Sequence, residues 1–354
     1  MLNEFFATCW NRAQPPLSED VFCTMLSDIP DECTVSPEEV LYLIKCLKVN
    51  KASGVDGISA FMLKATAESI ASPLAKIFSL SLSTGKFPKL WKSARVVPIP
   101  KSGKRSHVSN YRPISLLPIV SKMLEKYVYT LLWEHLTNNA PLSVNQWGFQ
   151  SGRSTVTSLL ATTHDWHRHL DQGKDVMCIF FDFCKAFDTV PHRRLMTRLV
   201  ELGIHPTLLA WLCSYLSGRC QHVVVNGQSS SSTHVLSGVP QGSVLGPLLF
   251  LIYMDSILSL ELSGTSKISL YADDVLLYKP IIDETSFDEL QADINNISSW
   301  TKSNLMSLNT EKCKCMLLTN KRNAQHPSLL LNNQDLEQVK QYKYLGVTIS
   351  ANLR

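Results

Sequence analysis

The stretch ISLYADDVLLY, residues 268–278, sets two adjacent carboxylates, Asp273 and Asp274, between two apolar, β-prone runs with no Lys or Arg beside them. Two such charges about 4 Å apart repel by roughly 4 kcal/mol at an effective dielectric near 20, so a compensating positive group is expected. Two solvated Asp residues at a hairpin tip would account for the local pattern, because Asp favours turns and a tip faces water. A third carboxylate supplies the missing context. Asp182 ends a strand-like apolar run in VMCIFFDFCKAFDTVPH, residues 176–192, with Phe180, Phe181 and Phe183 around it. Burying an unpaired Asp costs several kcal/mol unless a cation or hydrogen-bond donors compensate. If that strand lies beside the hairpin, Asp182, Asp273 and Asp274 form a triply negative cluster that two divalent ions would neutralise. Oxygen-only ligands suit Mg²⁺, which takes a few carboxylates plus substrate phosphates rather than a closed protein cage.

Other blocks follow a definite order along the chain. KASGVDGIS begins at Lys51, VVPIPKSGK and NYRPISLL lie between Val96 and Leu117, and NQWGFQSGRST begins at Asn145. After FFDFCKAFDTVPH come SGVPQGSVLGPLLFLIYMDSI from Ser237, YADD, LMSLNTEKCKCM from Leu305 and YKYLGVTIS from Tyr342. This ordered set, covering nearly the whole chain, resembles the catalytic core of a reverse transcriptase encoded by a non-LTR (LINE-type) retrotransposon.

The resemblance implies that Asp182 and Asp273 ligate two Mg²⁺ ions and that Asp274 completes the triad. One ion would activate a primer 3′-hydroxyl and the other would stabilise the departing pyrophosphate. It places Phe187 under the incoming sugar, where its ring would clash with a 2′-hydroxyl, and Gln241 on the nucleotide and template strand. Val244 to Ile257 would form the helix behind Gln241. Lys101 and Arg112 resemble residues that meet the triphosphate, Arg by a bidentate fork and Lys as a point charge. Lys104 and Arg105 read equally well as solvated. Lys312 matches a lysine that would protonate pyrophosphate as it leaves, with Lys314 close by as a competitor for that role. Asp188 reads as structural, accepting backbone hydrogen bonds where the strand gives way to a helix, and His192 as a structural cap rather than a base.

With 354 residues, 45% of them hydrophobic, the chain is long enough to bury a sizeable core. Its net charge of +4 is mild, but from Lys86 to Lys126 ten basic residues face the single acid Glu125. Interleaved with Phe87, Trp91 and Tyr111, that run reads as a phosphate-facing surface. The ten cysteines form no C-x-x-C pair, which argues against zinc. Cys178 and Cys184 in apolar surroundings, and Cys46 and Cys213 on helix-like faces, read as free core thiols of a reducing compartment. No basic start followed by an apolar run marks a leader, and the longest apolar stretch is too short to span a bilayer. The expectation is an intracellular protein of cytoplasm and nucleus, without membrane contact, of unknown oligomeric state.

These residues need elements to position them. A helix should open at Ser36-Pro37-Glu38-Glu39, a capping box with Pro in the first turn. Helical spacing marks Ile58–Leu82, Ile114–Leu136, Thr155–Leu170, Arg193–Leu202 and Thr207–Leu216. Strands are signalled at Asp175–Phe183, His222–Asn226, Ile268–Tyr278, Cys315–Thr319 and Tyr344–Ile349, and a short serine loop follows Asn226-Gly227. The mixture argues an α+β fold. By resemblance it is a right-hand polymerase with helical fingers and a small antiparallel-sheet palm, the thumb missing. Residues 1–50 would be an N-terminal helical extension, 51–175 and 193–236 fingers, and 176–192 with 237–354 the palm. The expected activity is RNA-directed DNA synthesis by two-metal nucleotidyl transfer, with template RNA, a DNA primer and deoxynucleoside triphosphates as partners. A truncated or domesticated copy that only binds nucleic acid is the alternative. The short sequence before Lys51 and the stop after Ile349 read as a piece of a larger polyprotein or a truncated genomic copy.

Overall fold

Ser36 opens its helix as expected. Its hydroxyl accepts from Glu39 N at 3.2 Å, Glu39 returns a carboxylate to Ser36 N at 2.8 Å, and the helix runs Pro37–Lys45 with Val40 and Ile44 fully buried. The structure, a computed structural model, describes residues 1–11, 13–14, 17, 34–101, 104–321 and 327–353. Cys23 and Cys33 lie outside those residues, and the described cysteines are free thiols. Among the described residues no helix is long and apolar enough to cross a membrane.

The chain divides into two compact units, each made of two separated stretches: Met1–Pro141 with Phe187–Leu249, and Leu142–Ala186 with Phe250–Arg354. In the first unit the helical signal over Ile58–Leu82 resolves into Ala60–Ala65 and Ala67–Ser83. The signal over Ile114–Leu136 divides differently. Tyr111–Leu116 is a strand, and the helix runs Ile119–Asn139 with Pro118 at its N-cap, because proline restricts the residue before it to extended backbone. The strand Ser93–Pro100, obscured in the sequence by Pro98 and Pro100, pairs antiparallel with Tyr111–Leu116 and parallel with Cys220–Val225. Asn226 and Gly227, both with positive φ, make a two-residue turn between Val225 and Gln228, the geometry that suits a right-twisted hairpin. Phe87 is core rather than surface. It is 3% exposed and meets Trp211 and Tyr215 edge-on at 5.3 and 5.1 Å, so the aromatic interleaving of the basic run is partly packing. Lys92 is buried as well, while Lys86, Lys89, Lys104, Arg105, Arg112 and Lys126 are exposed.

The second unit is built on a five-stranded sheet. Its order is Glu337–Gln338, Lys314–Leu318, Asp175–Phe181, Asp274–Ile281, Lys267–Tyr271, antiparallel except for the first pair. Asp175–Phe181 occupies the centre, buried on both faces, which explains its nearly unbroken apolar sequence. Val176, Cys178 and Phe180 face a core of Trp166, Leu276, Tyr278, Met316 and Leu318, closed by Tyr344 and Ile349. The last two belong to a hairpin, Gln341–Tyr344 with Val347–Ser350, where the sequence suggested one strand. Helix Thr285–Ser303, not anticipated, buries Leu290, Ile294 and Ile297 at helical spacing.

Candidate active site

Register brings the three carboxylates together. Phe181 pairs with Val275 across the central strands, so one step further Asp182 stands opposite Asp274. Tyr271 pairs with Asp274, which leaves Ala272 and Asp273 as a two-residue turn. Opposed residues share a face of an antiparallel pair, which directs Asp182 and Asp274 to the same side. Asp274 is open to solvent, yet the protein packed around it and the charges of Asp273 and Asp182 push its carboxyl up to about 6. Burial contributes most to that upward shift, and the two neighbouring carboxylates add to it.

The positive group missing from the local sequence is Lys312. Its Nζ lies 3.6 Å from Asp182 Oδ2, whereas Lys314 Nζ is held by Glu337 at 2.7 Å. The LNTEKC segment clasps the end of the central strand. Asn309 N donates to Asp182 O at 2.8 Å, Cys184 N to Ser307 O at 2.8 Å, and Asp182 N contacts Cys313 Sγ at 3.4 Å. Burial pushes the Cys313 thiol up to about 11, so it stays neutral beneath the carboxylates. Tyr342 of the YKYLG block stacks on Phe180 at 4.0 Å, and burial followed by the Asp274 and Asp182 charges raises its hydroxyl to about 12.

The donor chemistry suits a hard divalent cation: three carboxylates, oxygen donors only, with excess negative charge. Asp182, Asp273 and Asp274 are the residues that could hold it. As the side chains stand, no group of three or more His, Cys, Asp or Glu among the described residues forms a metal-binding cluster.

The remaining anticipated residues lie in the first unit. Lys101 N donates to Asn110 O at 2.7 Å, extending the register in which Ile99 faces Arg112; Lys101 and Arg112 are therefore diagonal neighbours on one face. Arg112 is exposed and Lys101 half-buried. The GVPQGS block owes its shape to two glycines. At Gly238, φ +86, a Cβ would come within 2.7 Å of Phe187 O and Asp188 Cα, and at Gly242, φ +107, within 2.6 Å of Ser115 O. The block thus seats against the Phe187–Val190 segment, with Val239 N donating to Phe187 O at 2.9 Å and Gly238 N to Val190 O at 2.8 Å. Gln241 Nε2 donates to Asp188 Oδ1 at 2.7 Å, so the carboxylate read as a backbone acceptor orients the Gln241 amide. Phe187 is half-buried. His192 begins helix His192–Glu201 rather than capping it; its buried Nε2 pairs with Gly238 O at 2.8 Å, and burial drops its pKa to about 4.

Glu125 has a role that the sequence concealed. Fully buried, it accepts from Val244 N at 2.8 Å and Leu245 N at 3.3 Å, where helix Leu245–Asp255 begins, and from Ser121 Oγ and Tyr215 Oη. A carboxylate is favoured at a helix N-terminus by the orphan N–H groups and the dipole. The available signal was a charged residue on the helix face that carries Leu124 and Val128.

Known proteins show what the chain is similar to. The profile of the family described as "Reverse transcriptase (RNA-dependent DNA polymerase)" matches residues 99–349. The RNA-directed DNA polymerase from mobile element jockey of Drosophila melanogaster is 32% identical over 90% of this chain and 35% of its own length. A putative 115 kDa protein in the type-1 retrotransposable element R1DM of the same species is 30% identical over 100% of this chain and 33% of its own. The chain thus spans about a third of the length of these curated relatives. Among solved structures, apo telomerase from Candida tropicalis superposes with a TM-score of 0.53 at 12% identity, over 81% of this chain and 53% of that one, a likeness of fold. With the family profile extending from the Ile99 strand through the carboxylate hairpin to Ile349, the chain belongs to the reverse transcriptase (RNA-dependent DNA polymerase) family, in the company of non-LTR retrotransposon polymerases.

Proposed function

We propose that the chain is the catalytic core of an RNA-directed DNA polymerase that extends a DNA primer on an RNA template with deoxynucleoside triphosphates and Mg²⁺. The observation that carries the reading is the opposition of Asp182 to Asp274 beside the Asp273 turn, with Lys312 as the nearby cation. Family membership implies dependence on a divalent metal. Asp182 and Asp273 are the proposed ligands, with Asp274 completing the triad. Two bound ions would supply activation of the primer 3′-hydroxyl and charge stabilisation of the departing pyrophosphate.

The chain's own groups do the rest in this reading. Lys312 donates a proton to the leaving pyrophosphate. Lys101 and Arg112, sharing one face of their hairpin, hold the triphosphate, Arg112 as a planar fork and Lys101 as a point charge. The Phe187 ring excludes a 2′-hydroxyl, and Gln241, its amide set by Asp188, lies against nucleotide and template. In polymerase terms the sheet carrying the triad is the palm, and the hairpin bearing Lys101 and Arg112 belongs to the fingers. The experiment is primer extension on an RNA template with labelled deoxynucleotide and Mg²⁺. Template-dependent addition of the complementary deoxynucleotide is expected. Tight binding of the primer-template without any addition would replace this reading with that of a nucleic-acid-binding copy.

A further inference from the structure

The carboxylate turn contains a backbone conformation that needs support. Ala272 has φ +58, a left-handed geometry that an L side chain rarely adopts outside Gly, Asn and Asp. Its N–H points into protein, since Ala272 is 4% exposed. The acceptor is Gln146 Oε1, 3.2 Å from Ala272 N, and the same oxygen takes Gly148 N at 3.1 Å. Gln146 is itself fully buried.

The segment around Gln146 is fastened to the hairpin on both sides. Leu270 N donates to Asn145 O at 2.9 Å and Trp147 N to Leu270 O at 2.7 Å, a parallel bridge in which Gln146 faces Leu270. Arg153 ties the segment down by donating to Gln146 O at 2.8 Å and to Val144 O, with its guanidinium 4.9 Å from the Trp147 ring centre. Gly148 is required by closeness: a Cβ there would lie 2.5 Å from Ala272 N. Much of the NQWGFQSGRST block therefore forms a mould around one residue, Ala272, which immediately precedes Asp273.

From this juxtaposition we propose that Gln146 is a positioning residue. Its amide oxygen holds the Ala272 N–H, keeps the turn left-handed, and so sets the directions of the Asp273 and Asp274 carboxylates. A neutral amide suits the place. It supplies an acceptor without adding a fourth carboxylate to a cluster that already repels itself, and its buried Nε2 has no hydrogen-bond partner among the described residues, so the oxygen is the atom that acts. The functional consequence rests on the polymerase reading, whereas the structural consequence does not.

The test therefore has two arms. The first measures amide hydrogen exchange at Ala272 in the metal-free protein for the wild type, Gln146→Met, which keeps length and removes the acceptor, and Gln146→Glu, which keeps an oxygen. Exchange should quicken about tenfold in Gln146→Met and stay near wild type in Gln146→Glu. Unchanged exchange in Gln146→Met overturns the proposal whatever the enzyme does. The second arm titrates Mg²⁺ in single-nucleotide addition. Gln146→Met should need about tenfold more Mg²⁺ with its KM for nucleotide within about twofold of wild type, a split that general loosening of the fold would not produce. Adding Ala272→Gly, which accepts left-handed backbone without strain, should recover part of the loss. If addition falls only through KM, or Ala272→Gly deepens the defect, the proposal is wrong. Should the wild type add no nucleotide at all, the polymerase reading fails and the exchange arm still decides the role of Gln146.

Discussion

Lys312 Nζ stands 3.6 Å from Asp182 Oδ2, while Lys314, two residues on, is engaged by Glu337 at 2.7 Å. The two lysines, equivalent as sequence, therefore have different work. Lys312→Ala should lower the rate of nucleotide addition by about a hundredfold, the usual scale of a general-acid contribution. Lys314→Ala should stay within about threefold of wild type, since an exposed ion pair contributes little. Single-turnover rates of both variants check this; equal losses would remove Lys312 from the chemistry.

Asp188 and Gln241 form a charge-assisted pair at 2.7 Å. Removing the carboxylate frees the amide to rotate, and hydrogen bonds to charged groups are worth about 1.5–3 kcal/mol, so Asp188→Ala should reduce kcat/KM for nucleotide by roughly 10- to 100-fold. Asp188→Asn, which keeps an acceptor oxygen, should recover most of it. If the two variants fall equally, Asp188 acts by some route other than Gln241.

Phe187 is half-buried in a segment braced by Gly238 and Val239. Phe187→Val should let ribonucleotides in while deoxynucleotide use drops only moderately, because the exclusion is steric and directed at one substituent. The ratio of incorporation efficiencies for the two sugars is the measurement. A fall in both rates at constant ratio would return Phe187 to a packing role.

His192 gives a pH prediction with a definite sign. Its pKa falls from an ordinary 6.5 to about 4 in the folded protein, first through burial, with Arg219 adding repulsion and the bond to Gly238 O opposing. Above the upper value the ring is neutral in both states and contributes no pH dependence. As pH falls toward 4 the unfolded chain takes up the proton first, so stability is lost across that window. Between about pH 7 and about pH 5 this one group should remove about 2 kcal/mol, an effect absent from His192→Gln. Denaturant unfolding of both proteins at the two pH values tests it; parallel losses would show that His192 is not the titrating group.

What the sequence disclosed was chemistry carried by residue identity. Asp182, Asp273 and Asp274 stand out because a carboxylate in an apolar run demands a reason, and the capping box at Ser36 and the turn at Asn226-Gly227 are read directly from residue type. Hidden were the features set by tertiary contact. An alanine gives no sign that it will sit at φ +58, nor a glutamine that it will accept that alanine's N–H, since both choices are imposed by the neighbouring segment. Glu125 looked like the lone acid of a basic surface because charge is usually exposed, and only the fold shows it buried at the start of a helix. Prolines hid the Ser93–Pro100 strand; Pro98 and Pro100 lie beyond Ser93–Val96, the stretch that also pairs with Cys220–Val225, where a missing N–H is tolerated. The polar composition of Thr285–Ser303 masked an apolar stripe one residue wide.

In the proposed function Asp182 and Asp273 hold the metal that drives nucleotide addition. The deciding measurement is single-turnover addition of one deoxynucleotide to a primer on RNA, comparing wild type with Asp182→Asn and Asp273→Asn, alongside thermal melts with and without Mg²⁺ and nucleotide. Each variant should lose at least about a thousandfold in rate, because charge stabilisation worth several kcal/mol disappears. Metal-free melting should be equal to or above wild type, since repulsion with Asp274 is relieved, and the stabilisation by Mg²⁺ with nucleotide should largely vanish. Addition within about tenfold of wild type by either variant, with its melting shift intact, would show that the carboxylate removed does not hold the metal.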